Sequence, residues 1–456
     1  MKEKILKKIF SAPAEILEKG VEVTTEIEHE IAEEKPVKVA REYWKNLGPG
    51  LVTGAADDDP SGIATYSQMG ASHGFGLLWL SIFSFPLMVI VQEMCARIGL
   101  ATGVGLAANI KKYYSKKILY FSTLLLLFAN VFNIGADLGA MAKSTQLIFP
   151  NTSFALLIFF FAFFSLFLQV FVPYKKYSKY LKYLTFVLFA YIVSAFFVKI
   201  DWMEVLKFTF VPSFTFSKDI LILICAALGT TISPYLFFWQ SSQEVEEQIL
   251  HGEKTIEARQ NGTTREDIKN MRIDVWSGML VSNLIMFFII VVCAATLFGN
   301  GITNVATASD AASALRPFAG DFAFVLFALG IIGTGLLAIP VLAGASSYAI
   351  SESFGWKMGL YRKLKQATSF YGVIIVAMVL GILLNFVGLD PIKALIYSAI
   401  LNGIISPIMI FFIVHLSQKE EVMGNFKNKK ITNILGWVTF VIISLVGLGA
   451  IISIFI

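Results

Sequence analysis

The chain has 456 residues, of which 56% are hydrophobic and 14% aromatic, while only 15% carry charge. That much apolar surface exceeds what soluble cores hide, which excludes an ordinary water-soluble domain and points to an integral membrane protein. The small formal net charge of +5 speaks for contact with a lipid surface and against nucleic acid as a partner.

In chain order, residues 1–46 come first as a polar tail with ten acidic and nine basic side chains. The tail has no apolar core and no small-residue cleavage site, so it is expected to be a solvated cytoplasmic tail and not a signal peptide. From residue 47 onward, apolar runs long enough to cross a bilayer, about 20 residues each, recur at 47–71, 76–101, 118–147, 152–173, 181–199, 219–243, 275–299, 322–350, 368–388, 391–416 and 432–456. They are near-continuous Leu, Ile, Phe, Val and Ala without strand-type alternation, which predicts eleven transmembrane helices and disfavours a barrel. Runs such as "FFFAFFSLF" are expected to face lipid or neighbouring helices. The long polar stretch "EVEEQILHGEKTIEARQNGTTREDIKN" is expected to be a cytoplasmic helical connection.

Lysines and arginines set the orientation. Counting span ends with their connections, 22 of the 37 lie at the connections after the even spans and 6 at those after the odd ones, the other nine being in the tail. The N-terminus is therefore expected in the cytoplasm and the C-terminus outside, with clusters such as Lys175, Lys176, Lys179, Lys182 and Arg362, Lys363, Lys365 as topology anchors. Cys95, Cys225 and Cys293 stand alone in apolar runs, which suits reduced packing. His29, His73, His251 and His415 lack the spacing of a metal cluster.

The first span contains "GAADDDPSGIATYSQ" and the sixth "LGTTISPYLFFWQSSQ". Pro60 and Pro234 each interrupt a membrane helix near its middle, and the two spans head two five-span halves, 47–199 and 219–416, with 432–456 as an additional helix. The halves run in opposite directions, and paired broken helices in inverted repeats mark a transport site near the bilayer midplane. A carboxylate at mid-bilayer costs at least about 2.5–3.5 kcal/mol on insertion scales, so three in a row are not packing residues. A helix broken at Pro60 also frees carbonyls at the negative end of its first half. Carboxylates with free carbonyls call for a cation. At about 100° per residue, Asp57, Asp58 and Asp59 cannot all face one point. Asp59, next to the break, is the strongest candidate ligand, while Asp57 and Asp58 are expected to line the aqueous path or to bind protons.

"GPGLVTGAADDDPSGIAT", "GLLWL", "QEMCARIGLATGVGLA", "NIGADLGAMA" and "LGTTISPYLFFWQSSQ" together resemble the NRAMP family of divalent metal transporters, from about residue 44 through at least the tenth span. The resemblance implies an all-α fold like the leucine transporter's, a 5+5 inverted repeat with broken helices 1 and 6 and eleven spans in all. It implies metal binding by Asp59 with the backbone carbonyls of Ala56 and Thr230. Where the family carries Asp-Pro-Gly-Asn and Met-Pro-His, this chain reads Asp59-Pro60-Ser61-Gly62 and Ser233-Pro234-Tyr235. The asparagine ligand becomes Gly62 and the thioether becomes the Ser233 hydroxyl.

A thioether favours Mn, Fe and other transition metals, so its absence relaxes discrimination against Mg²⁺ and Ca²⁺. Replacing Asn by Gly is expected to widen the cavity, and Mg²⁺, which keeps several waters, suits an oxygen-only site with few direct ligands. The pattern resembles the NRAMP-related magnesium transporters, so the expected cargo is Mg²⁺, with Mn²⁺ also admitted. Proton coupling in the family is associated with the sixth-span histidine and a carboxylate pair on the third span. Here these are Tyr235, whose phenol does not titrate near neutral pH, and Asp137 with Ala140 in place of the second acid. Transport is therefore expected without obligatory proton symport, driven by the electrochemical gradient, with Asp137 either a structural acid or part of the polar route.

Gln240 and Gln243 follow the sixth break by about two turns and either hydrate an exit path or pack between helices. Asn133, Asn283 and Asn402 are weighed between interhelical hydrogen bonding and pathway lining. The alternatives are a proton-coupled Mn²⁺/Fe²⁺ transporter of the NRAMP type, a Na⁺-coupled amino-acid transporter, and an intramembrane aspartyl protease using Asp59 and Asp137. No enzyme activity and no cofactor are expected. The partners are the metal ion and the bilayer, and the protein is expected to work as a monomer in the plasma or inner membrane.

Overall fold

The structure is a computed structural model that describes residues 43–44, 47–213, 217–303, 305, 308–388 and 391–455. The chain divides into two units, Met1–Gly48 and Pro49–Ile456. The expected solvated tail at 1–46 lies outside the described residues apart from Tyr43 and Trp44. In the second unit every regular element among the described residues is helical.

In chain order the helices are α1 (Pro49–Asp57), α2 (Pro60–His73), α3 (Leu80–Thr102), α4 (Leu106–Tyr113), α5 (Lys116–Ile148), α6 (Phe154–Phe171), α7 (Tyr174–Leu184), α8 (Phe189–Ala195) and α9 (Trp202–Phe210). They continue with α10 (Lys218–Thr231), α11 (Pro234–Leu250), α12 (Ile256–Gly262), α13 (Arg265–Thr296), α14 (Ala308–Phe354), α15 (Thr368–Leu384), α16 (Pro391–Gln418), α17 (Glu420–Met423) and α18 (Lys430–Phe455). Among the described residues, eight helical stretches are long and apolar enough to cross a membrane, and α15 is a shorter apolar helix. The first and fifth spans complete the eleven as interrupted pairs, α1 with α2 and α7 with α8 across a 3₁₀ turn at Thr185–Leu188.

Both predicted breaks are present, but the prolines begin helices and do not kink them. Pro60 and Pro234 occupy the first turn of α2 and α11, where a residue without an N–H leaves no partner unsatisfied. The break residues Asp59 (φ −66°, ψ 170°) and Ser233 (φ −79°, ψ 133°) are extended. Packing recurs when each span is exchanged for the one five later. The first span packs on the seventh as the sixth does on the second, and the third packs on the tenth as the eighth does on the fifth, while the third and eighth pack on each other. This is the inverted-repeat arrangement, with α5 and α14 as its central pair.

Three boundaries differ from the sequence reading. The fifth span starts at Tyr174, so the lysine cluster read as a connection belongs to the helix. The eighth span is the second part of α14, which reaches back to Ala308 through Gly320 at φ +82°. The polar connection after the sixth span is helical as expected, made by the end of α11, by α12 and by the start of α13. Along α6, Phe159, Phe160, Phe163 and Phe167 are exposed while Phe161 is buried. That outward stripe suits lipid contact.

The short α1 has a tight seat on α13. A Cβ at Gly54 would lie 2.2 Å from the Gly278 carbonyl, and one at Gly278 would lie 2.1 Å from the Gly50 carbonyl. Small residues four apart let the two backbones touch, as in membrane helix pairs generally. The buried Asp274 of α13 accepts the free N-terminal amides of α1, from Gly50 at 2.7 Å and Leu51 at 3.0 Å. A carboxylate there satisfies orphan donors and meets the positive end of the helix dipole.

Candidate functional site

Asp59 is the N-cap of α2. Its Oδ1 accepts from the Ser61 hydroxyl at 2.5 Å and from the Gly62 amide at 2.8 Å. Its Oδ2 accepts from Asn133 Nδ2 of α5 at 2.7 Å. The local sequence dictates the first pair, because an extended Asp before Pro offers its carboxylate to the amides of the turn it caps. The Asn133 amide is itself held by the Ser398 hydroxyl of α16, which donates to Asn133 Oδ1 at 2.7 Å. Asp59, Asn133 and Ser398 are all buried.

The neighbouring acids turn elsewhere, Asp57 as the last residue of α1 and Asp58 within the break. Asp57 Oδ2 accepts from the Ser282 hydroxyl of α13 at 2.8 Å, while neither carboxylate oxygen of the fully buried Asp58 has a hydrogen-bond partner. Asp137 lies one helical turn after Asn133 on α5, also fully buried and also without a partner for either oxygen. The three bonds of Asp59 all go to other residues, so Asp59 and Asp137 are not a hydrogen-bonded acid pair.

The carbonyl ends of the two half-helices converge on hydroxyls from the first turn of α11. Tyr235 donates to the Ala56 carbonyl at 2.8 Å. The Ser233 hydroxyl turns back on its own chain and donates to the Gly229 and Thr230 carbonyls, 2.7 Å each. Each of these carbonyls keeps a second lone pair. The broken helices therefore bring Asp59, Gly62, Ala56, Thr230, Ser233 and Tyr235 onto one set of adjoining helix ends.

Gly62 does not widen the site. A Cβ there would lie 2.9 Å from Thr230 Oγ1, 3.3 Å from the Asp57 carbonyl and 3.4 Å from the Tyr66 ring. A first side-chain carbon there already meets the Thr230 hydroxyl, which corrects the expectation of a larger cavity. What the arrangement offers is oxygen: one carboxylate, two main-chain carbonyls and hydroxyls. No candidate ligand carries sulfur or imidazole, and among the described residues no three His, Cys, Asp or Glu side chains gather as metal ligands.

Other candidates are placed away from this set. Gln240 donates to Glu244, one turn further along α11, at 2.8 Å. Gln243 donates to the Tyr348 hydroxyl at 3.4 Å. Asn283 accepts from Ser84 of α3 at 3.0 Å, so it bridges helices. The buried Asn402 has no partner for Oδ1. Cys95, Cys225 and Cys293 are buried and free. The sequence reading passed over Ser61, Ser282 and Ser398 and left Asn133 undecided. The i and i+4 spacing of Asn133 and Asp137 puts both on one helix face but points to neither Asp59 nor Ser398.

The sequence model of the family described as natural resistance-associated macrophage protein-like (Nramp) matches residues 50–453. A relative named divalent metal cation transporter MntH, from Clostridium acetobutylicum, is 29% identical over 421 residues, covering 89% of this chain and 90% of its own length. Another of that name, from Caldanaerobacter subterraneus subsp. tengcongensis, is 24% identical, with coverage of 87% and 90%. Among solved structures, the Eremococcus coleocola manganese transporter aligns with a TM-score of 0.69 at 19% identity, covering 90% of this chain and 86% of that one. Mhp1, a nucleobase-cation-symport-1 family transporter, aligns with a TM-score of 0.56 at 16% identity, with coverage of 89% and 90%. The broken-helix architecture and the extent of the family match agree, and the chain belongs to the Nramp family.

Proposed function

We propose that the chain is a multi-pass membrane transporter that imports divalent metal cations, Mg²⁺ foremost and Mn²⁺ as well, partly hydrated and without obligatory proton symport. Asp59 supplies the charge, the Ala56 and Thr230 carbonyls and the Ser233 hydroxyl supply further oxygens, and Gly62 adds no side-chain ligand. Asp57, Asp58, Asp137 and Gln240 belong to the polar surroundings of the ion's route. In this reading the tail at 1–46 and the N-terminus face the cytoplasm, and repeats at 47–199 and 219–416 with an additional helix at 432–456 work as a monomer.

The relatives' names support metal as cargo. The observation that carries the Mg²⁺ preference is the oxygen-only donor set around the two breaks, with Ser233 and Tyr235 in hydrogen bonds to carbonyls. Hard oxygen donors suit Mg²⁺, Ca²⁺ and Mn²⁺, whereas thioethers select softer metals. Purified protein in liposomes, assayed side by side with Mg²⁺, Ca²⁺, Mn²⁺ and Fe²⁺, tests the reading. Mg²⁺ entry is expected, and entry of Mn²⁺ or Fe²⁺ alone would favour the proton-coupled alternative. Asp59→Asn removes one partner of a buried charge interaction worth about 3–5 kcal/mol, so uptake of every cation should fall by roughly 10²–10⁴-fold.

A further inference from the structure

We propose that Asn133, held by Ser398, is a positioning residue that restricts Asp59 to one-oxygen contact with the cation and so sets selectivity against Ca²⁺. The inference rests on Asp59 being a ligand of the transported ion.

An ionised carboxylate offers about four lone-pair positions, two on each oxygen. On Oδ1 both are taken, by the Ser61 hydroxyl and the Gly62 amide. On Oδ2 one is taken by Asn133 Nδ2. A single position remains, on Oδ2. Chelation through both oxygens needs an open position on each, so the cation meets Asp59 through one oxygen only.

Asn133 keeps this arrangement from turning. Without its bond, the carboxylate is held at Oδ1 alone, by a rotatable hydroxyl and the cap amide, and can pivot toward a chelating ion. The Asn133 amide presents its N–H because its oxygen accepts from Ser398, whose hydroxyl also reaches the Leu395 carbonyl at 2.8 Å. One continuous chain of buried bonds thus joins α2, α5 and α16. Ca²⁺ takes 6–8 oxygens and commonly uses carboxylates bidentately, whereas Mg²⁺ makes do with one or two carboxylate contacts and retained water. An Asp59 confined to one oxygen therefore penalises Ca²⁺ more than the smaller octahedral ions.

The test is Ca²⁺ competition against Mn²⁺ uptake in proteoliposomes, Mn²⁺ being admitted by either reading of the cargo. For Asn133→Leu, the ratio of the Ca²⁺ inhibition constant to the Mn²⁺ KM should fall by about tenfold, the size usual for groups that orient a metal ligand. Ser398→Ala should shift the ratio the same way by less, and Ser398→Thr, which keeps the hydroxyl, should restore it. An unchanged ratio in Asn133→Leu, or an equal loss for both ions with the Ser398 variants unaltered, overturns the inference. Should Asn133→Leu fail to fold, the Ser398→Ala and Ser398→Thr pair decides. Full uptake by Asp59→Asn would instead sink the reading of Asp59 as a ligand, so the two failures are told apart.

Discussion

Ser233 and Tyr235 stand two positions apart in the first turn of α11, and both spend their protons on main-chain carbonyls. Restoring a thioether at the first of them tests what the hydroxyl does. Ser233→Met should move the KM ratio of Mn²⁺ to Mg²⁺ toward Mn²⁺ by about tenfold, since sulfur rewards the softer ion. Competitive uptake of the two ions into liposomes measures it, and an unmoved ratio would separate the position from selectivity. At this scale Asp59 was legible because an acid beside a proline in apolar surroundings admits few explanations. The divergence of the three acids was expected from a helical angle, but in the structure α1 ends at Asp57 and the extended break at Asp59 turns the carboxylates apart. Asn133 was not legible, because its partners are 74 and 265 positions away and an asparagine in an apolar helix looks the same whatever it touches. Gly62 misled for a related reason. Deleting a side chain says nothing about which neighbour fills the space, and here it is Thr230.

Among the elements, α1 is short, nine residues, and its anchorage is concentrated in few contacts. Hydrogen bonds to a charged acceptor contribute about 1.5–3 kcal/mol each, and Asp274 makes two of them to the amides of Gly50 and Leu51. Asp274→Ala should therefore speed hydrogen exchange at those two amides by roughly 10–100-fold, with the amides of α5 unaffected. Equal acceleration in both helices would mean global loosening and not release of α1. The glycine seat is less forgiving. Gly54→Ala drives a methyl into the Gly278 backbone, and the overpacking should cost about 1–3 kcal/mol, read as a lowered thermal midpoint in detergent. The breaks were legible from the two prolines and the spans from their apolar runs. The interruption of the fifth span and the long reach of α14 were not, since a 3₁₀ turn and a lone positive-φ glycine leave little mark on hydropathy.

For the molecule as a whole, the proposed import of a divalent cation would need no driving force beyond the membrane potential. Two charges crossing 100 mV release about 4.6 kcal/mol, roughly three decades of accumulation. An inside-negative potassium diffusion potential of about 100 mV should raise the initial Mg²⁺ uptake rate severalfold over a clamped zero potential, with no internal acidification on a trapped pH dye. Acidification in step with uptake would restore the proton-coupled alternative. The inverted repeat was the most legible level of all, because two similar interruptions five spans apart constrain the whole topology at once. The pairing of first with seventh and sixth with second span follows from it.

Three consecutive aspartates serve three different surroundings: Asp57 meets α13, Asp59 meets α5, and Asp58 bonds to neither. α1 ends at Asp57 and Asp59 is the extended N-cap of α2, so these assignments depend on where each acid falls relative to the break as much as on residue type. A substitution at Asp58, which has no partner, leaves Asp57 on Ser282 and Asp59 on Asn133. Removing or adding one residue would hand every acid on the far side of the change to the wrong helix, with composition almost unaltered. The segment is written in a reading frame of its own, one that tolerates a changed letter better than a missing one.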